Sequence, residues 1–249
     1  MEEALKLNKI HKKQHGFQSN KSTEMAMSSM VSYIEGCVMR RKQCVGVFLD
    51  ISAAFDSISP KYIKNRLLTM GGDPAMVDWY LEYITYRTLM LDMHGVKSKL
   101  KALVGFPQGG VCSALFWIIA FDPAIKILNK FGINGNGFAD DCAAVLGGTW
   151  LRPVLLRLQI MINELTVWGR KCGLRFNADK TVVVHFTRRR KTPPYKLMVE
   201  GNEIEYSSEV KYLGVLIDSG LYWRKHVENK LNKAKGLLHL MVNATCKIF

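Results

Sequence analysis

The chain has 249 residues, 48% of them hydrophobic, which is enough to close a sizeable core in one main domain with extensions. Its 35 Lys and Arg against 21 Asp and Glu leave a formal charge of +14, which suits a polyanionic partner: a nucleic acid or a charged membrane surface. A polar N-terminus and the lack of any run of about 18 apolar residues argue against a secretory leader and a membrane span, so an intracellular protein, nuclear or cytoplasmic, is expected.

In chain order, Ser22-Thr23-Glu24 opens a helix as its cap, because Met27, Met30, Val31, Ile34 and Val38 recur behind it at helical spacing. Arg40-Arg41-Lys42 suits its C-terminal end, where cations meet the negative pole of the helix dipole. Cys44–Ile51 reads as a strand. Ser59-Pro60 and Asp73-Pro74 open two more helices, the first closed by Gly71-Gly72 and the second holding Trp79 and Tyr80. Arg87–Met93 and Lys99–Val104, broken at His94-Gly95, form a hairpin.

From Val111 the pattern is helical. Asp122-Pro123 reads as a cap and first residue restarting that helix, since a proline in mid-helix removes a hydrogen bond and clashes. Gly132 ends the segment, and strands flank Asp140-Asp141. Leu151, Val154, Leu155, Leu158, Ile162, Leu165 and Trp168 mark the clearest amphipathic helix, stopped by Gly173. Thr181–Phe186, Lys196–Val199, Ile204–Tyr206 and Val210–Ile217 read as strands. Val227, Leu231, Ala234, Leu238 and Met241 then share one face of a last helix.

Two blocks carry the chemistry, Phe48-Leu49-Asp50-Ile51-Ser52-Ala53-Ala54-Phe55-Asp56 and Gly137-Phe138-Ala139-Asp140-Asp141. Each is an apolar run that delivers carboxylates at its end, where packing gives no reason for them. Magnesium takes oxygen ligands and is usually held by one or two carboxylates plus substrate phosphates. Two such ions can clamp the attacking and leaving oxygens of an in-line displacement, so Asp50, Asp140 and Asp141 suggest nucleotidyl transfer. Taken singly the blocks are weak: Asp140-Asp141 also fits a plain hairpin turn, and Asp56 a helix cap.

Further blocks follow in order: Gly105-Phe106-Pro107-Gln108-Gly109-Gly110-Val111-Cys112-Ser113, then Gly173-Leu174-Arg175-Phe176-Asn177-Ala178-Asp179-Lys180-Thr181, then Tyr212-Leu213-Gly214-Val215. With the two acid blocks between and before them, the set resembles the successive palm motifs of reverse transcriptases, in particular those of retrotransposons without long terminal repeats. The resemblance runs from about Gln14 to Ala234. It implies an α+β fold of right-hand polymerase type: a ferredoxin-like antiparallel palm sheet backed by helices over 44–220, a remnant of the fingers over 1–43, and the start of a thumb over 221–249.

The resemblance also implies roles. Asp50, Asp140 and Asp141 would hold two Mg2+ ions, with Mn2+ as a substitute. Phe55, five residues beyond Asp50, would lie under the incoming sugar and exclude a 2′-hydroxyl. Gln108 and Gly109 would line the nucleotide and template side, with Phe138 beside the acids, where tyrosine is commoner in the family. Lys180 would help protonate the leaving pyrophosphate, and Leu213-Gly214 would grip the primer end. The partners implied are an RNA template, a DNA primer and a deoxynucleoside triphosphate.

Basic residues at Arg170, Lys171, Arg175 and Arg188-Arg189-Arg190-Lys191, and again at Arg224, Lys225, Lys230, Lys233 and Lys235, fit a track along phosphates. The six cysteines show no zinc spacing and read as reduced core side chains. Ala114 stands where the family usually has proline, and the family's triphosphate-gripping strands lack a counterpart before Gln14. Two alternatives therefore stay open: a non-catalytic nucleic-acid-binding remnant, and an intron-maturase type of reverse transcriptase.

Overall fold

Ser22 caps α1 (Thr23–Met39), its hydroxyl accepting the Met25 N–H, and the helix buries Ala26, Met30, Ile34 and Cys37 along one stripe. The computed structural model to which this helix belongs describes residues 10–110, 112–188 and 193–245. Val111, Arg189-Arg190-Lys191 and Cys246, singled out in the sequence, lie outside the described residues. β1 (Gln43–Ser52) is buried from Cys44 to Leu49, as a continuous apolar run in a central strand should be.

After α2 (Ala54–Ser57), the helices α3 (Pro60–Thr69) and α4 (Pro74–Thr85) begin as their caps require: Ser59 and Asp73 each accept the N–H three residues on, with proline at the first helical position. β2 (Arg87–Met93) and β3 (Val96–Ala102) pair as a separate hairpin. Its second strand begins and ends earlier than the sequence suggested.

α5 (Ser113–Lys130) corrects the reading of Asp122-Pro123: it is one uninterrupted helix with Pro123 inside. Proline cannot donate to the Ile119 carbonyl four residues back, and the Arg66 Nε–H donates to that oxygen instead, at 3.4 Å. Asp122 is no cap. It is buried, accepts the His11 backbone N–H at 2.7 Å, and pairs with Lys126 at 2.6 Å and Arg66 at 3.5 Å.

β4 (Asn134–Phe138), β5 (Asp141–Gly148), α6 (Leu151–Cys172) and β6 (Arg175–Phe186) complete the centre. β6 starts six residues before the predicted Thr181. Smaller strands follow: β7 (Leu197–Val199), β8 (Asn202–Ile204), β9 (Tyr206–Ser207), β10 (Glu209–Tyr212) and β11 (Val215–Asp218), then α7 (Arg224–Thr245). The stretch Val210–Ile217 is thus a hairpin broken at Leu213-Gly214.

The main sheet has the order β4-β5-β1-β6-β9, antiparallel except for the β6–β9 pair. Alternation along β1 assigns its two faces. Val45, Val47, Leu49 and Ile51 join the core under α5 and α6, while Cys44 and Phe48 join a second core with α1 and the β10–β11 hairpin. Cys37, Cys44, Cys142 and Cys172 are buried free thiols, in keeping with the core reading. Among the described residues no helix is long and apolar enough to cross a membrane.

Candidate active site

The acids meet through strand register. Leu49 lies opposite Cys142 in the β1–β5 ladder, so continuing it by one residue sets Asp50 opposite Asp141. On the other side of β1, Asp50 is the register partner of Asn177 in β6. Asp141, Asp50 and Asn177 therefore form a row across three neighbouring strands, on the sheet face that carries Phe48 rather than Leu49. Directly opposed like charges destabilise a sheet, so packing does not account for this row.

Asp140 occupies the turn between β4 and β5, where Phe138 pairs with Asp141 and only Ala139 and Asp140 intervene. Ala139 adopts φ 56°, a left-handed conformation that alanine rarely takes. Its carbonyl is held by the Trp117 indole N–H at 2.7 Å. From the other side Gly16 presses on the turn: a Cβ built there would sit 2.2 Å from the Ala139 nitrogen. The strand-like segment around Gln14 braces β4, with the His15 N–H donating to the Gly137 carbonyl at 2.7 Å and the Gly137 N–H to the Lys13 carbonyl at 3.1 Å.

The pK of the Asp141 carboxyl is raised, first by desolvation and then by the charges of Asp140 and Asp50. Tyr212, buried at the end of β10, also has its hydroxyl pK raised: burial is the main cause, with smaller contributions from Cys142 and Asp141. The β10–β11 hairpin therefore flanks the acids, and its turn residues Leu213 and Gly214 both have positive φ, 47° and 79°. Two-residue hairpins favour such angles.

A cleft of about 410 Å3 opens beside the row, lined by Asp50, Phe55, Gln108, Asp140, Asn177 and Lys180 together with the Ser52–Ala54 corner and Asp56. Phe55 stacks on Trp117 with ring centroids 5.2 Å apart, and Phe17 meets it edge-on at 6.4 Å. Its carbonyl accepts the Phe106 N–H at 2.7 Å, so the loop of Gln108 is docked on the segment of Phe55. Gly105 approaches that segment so closely that a Cβ would lie 2.6 Å from the Asp56 backbone. Pro107–Gly110 is a turn closed by the Gly110 N–H to the Pro107 carbonyl at 3.0 Å, with Gly109 at φ 81° as a type II turn demands.

Lys180 reaches the cleft because β6 leaves the ladder: Phe48 pairs with Val182 but Asp50 with Asn177, so residues 178–181 bulge out. The Asn177 side chain ties the bulge by accepting the Asp179 N–H at 3.0 Å. Asp50, Asp140, Phe55, Gln108 and Lys180 are thus brought to one cleft, with Asp141 and Gly109 adjoining it. Phe138, Leu213 and Gly214 lie on elements flanking it rather than on its lining.

Three further residues were not assigned roles from sequence. Asp56 is not a cap but lies within α2 and accepts the Gln108 Nε2–H at 3.1 Å. Asn177 and Trp117 give no signal alone; a buried indole does need an acceptor, which is the one hint for Trp117.

Among the described residues no three His, Cys, Asp or Glu side chains are arranged to hold a metal ion in this conformation. The donor set still fits a hard divalent cation. Its members are carboxylate oxygens, the charges of Asp140 and Asp50 help to raise the proton affinity of Asp141, and among the described residues Asp50, Asp140 and Asp141 take part in no ion pair.

An antiparallel sheet with helices packed on it and acids at the strand ends defines an α+β fold of the polymerase-palm type. Residues 1–217 match the reverse transcriptase (RNA-dependent DNA polymerase) family, and the chain belongs to that family. It is 26% identical over 229 residues to the RNA-directed DNA polymerase from the mobile element jockey of Drosophila melanogaster, a match covering 88% of this chain and 24% of that relative. It is also 26% identical over 234 residues to the Pol polyprotein of the type-1 retrotransposable element R1 of Bradysia coprophila, covering 90% and 22%. These relatives are of the retrotransposon kind without long terminal repeats, and the chain spans about a quarter of their length. Among solved structures, apo telomerase from Candida tropicalis superposes with a TM-score of 0.60 at 14% identity over 84% of this chain and 40% of that one, a likeness of fold.

Proposed function

We propose that this chain is the catalytic part of an RNA-directed DNA polymerase, extending a DNA primer on an RNA template. The observation that carries this is the row of Asp141 and Asp50 beside Asp140 at the mouth of one cleft. The reaction is attack of the primer 3′-hydroxyl oxygen on the α-phosphate of a deoxynucleoside triphosphate, forming a phosphodiester and releasing pyrophosphate. Two divalent ions, magnesium or manganese, would be held by Asp50, Asp140 and Asp141 and would supply charge stabilisation and a nucleophilic oxygen.

Around that centre the chain's own side chains divide the work. Phe55, rigid against Trp117, leaves no room for a 2′-hydroxyl and offers it no hydrogen bond. Gln108 and Gly109 present a turn at which backbone approaches the nucleotide and template closely, with Phe138 beneath the acid turn. Lys180 donates a proton toward the leaving pyrophosphate. Leu213 and Gly214 hold the primer end. Residues 1–43 serve as part of the fingers, 44–220 as palm and 221–249 as the start of a thumb.

Primer extension tests the reading. The 249-residue protein is mixed with a DNA primer annealed to RNA, the four deoxynucleotides and magnesium or manganese, and nucleotide addition is the expected result. Binding of the duplex without addition under either metal would favour a non-catalytic nucleic-acid-binding role.

A further inference from the structure

A second and larger cavity, about 730 Å3, lies at the end of the sheet remote from the acids. It opens between residues 38–43, which join α1 to β1, and the end of β6, with Leu151 and Pro193-Pro194 completing the wall. The Cys44–Phe186 pair marks this end of the β1–β6 ladder, and the Asp50–Asn177 pair lies near the other. Six residues of strand at about 3.3 Å each separate them, so the two sites are about 20 Å apart. The two linings share no residue.

The lining charges are of one sign. Arg41, Lys42 and Arg188 contribute cations, and among the described residues no carboxylate lines the cavity and none of the three takes part in an ion pair. A concavity walled by one sign of charge focuses its field on a counter-charged ligand. Arg41 is further marked by its backbone. It follows the α1 C-cap, Arg40, with φ 52°, a left-handed position where glycine is the least strained residue. An arginine keeps a cation at the groove instead.

Flat apolar surface adjoins the cations. Met39 lines the groove and is 83% exposed, Trp150, next to Leu151 in the chain, is 75% exposed, and Tyr222 is 67% exposed with the Arg188 guanidinium over its ring at 6.0 Å. Cations interleaved with exposed rings suit a single strand, whose phosphates pair with the cations while its bases stack. We propose that this groove is a second nucleic-acid site, taking the phosphate backbone of single-stranded nucleic acid outside the catalytic cleft.

The test reads binding rather than polymerisation, so its outcome is separate from whether the chain extends a primer. Fluorescence anisotropy with a labelled single-stranded RNA is followed across salt concentrations for the 249-residue protein and two double variants. Arg41→Glu with Lys42→Glu should lower affinity about tenfold or more and reduce the salt slope by about 1.4, the loss of two single-strand phosphate contacts. Lys99→Glu with Lys101→Glu on the β2–β3 hairpin makes the same change in net charge and should cost less than about threefold. Equal losses in both variants would overturn the site in favour of bulk charge, and an unchanged groove variant would overturn it outright. Loss of binding to phosphatidylserine vesicles with RNA binding intact would overturn it in favour of a lipid surface. Should the charge reversal unfold the protein, Arg41→Gln with Lys42→Gln gives the same reading: a lower slope supports the site and the wild-type slope refutes it.

Discussion

The indole N–H of Trp117 in α5 donates to the carbonyl of Ala139 at 2.7 Å, so a helix packed beneath the sheet holds the turn that carries Asp140. A left-handed conformation costs an alanine about 1–2 kcal/mol, and this bond helps to offset it. Trp117→Phe keeps the stacking area but leaves that carbonyl without its donor. It should destabilise the fold by about 1–3 kcal/mol in urea unfolding and lower primer extension by about ten- to a hundredfold through displacement of Asp140. Extension at the wild-type rate would mean that the turn holds its shape without the indole.

Gly16 presses on the same turn from outside the sheet. Its required smallness is steric, since the nearest atom to an added Cβ is the Ala139 backbone nitrogen at 2.2 Å, which cannot swing aside as a flexible side chain would. Gly16→Ala should therefore cost about 1–3 kcal/mol of stability and impair extension as well. An unshifted urea midpoint would show that the segment of Gln14 to Phe17 peels away from β4 at little cost.

Asp122 anchors the N-terminal segment and α3 to α5 through His11, Arg66 and Lys126. Asp122→Ala leaves the cations without their buried partner. Because Lys126 reaches solvent, the loss should fall near the lower end of the usual range, about 3 kcal/mol by chemical denaturation. A loss below about 1 kcal/mol would contradict the anchoring role.

Much of this architecture was legible because its signals are local. Ser22, Ser59 and Asp73 cap helices where their sequence context places them, and the amphipathic stripe of α6 ends at Gly173 as expected. Pro123 misled because its remedy is not local: the donor that satisfies Ile119 comes from Arg66 in another helix. The site divides the same way. Strand ends bearing Asp50 and Asp140-Asp141 could be read from apolar runs, but the row of Asp141, Asp50 and Asn177 depends on pairings between residues about a hundred apart. The bulge that carries Lys180 into the cleft is likewise a property of the ladder, not of β6 alone.

Phe55 stands at the cleft with its ring fixed between Trp117 and Phe17. Phe55→Val should open space beside the 2′ position and raise incorporation of ribonucleotides relative to deoxyribonucleotides by about ten- to a hundredfold in kcat/KM on one template. An unaltered sugar preference in a folded, active variant would make Phe55 a packing residue only.

The central claim is that the acid cluster is the polymerising centre while nucleic-acid binding rests on the basic surface. Asp140→Asn separates the two, because it removes a charge from the cluster and leaves the turn's backbone bonds in place. Primer extension and RNA affinity are measured side by side on the wild-type and variant proteins, with thermal melting as the check on folding. The expected result is extension reduced by about a thousandfold or more, with RNA affinity within about twofold of wild type. Extension at the wild-type rate by a folded Asp140→Asn protein would contradict the claim.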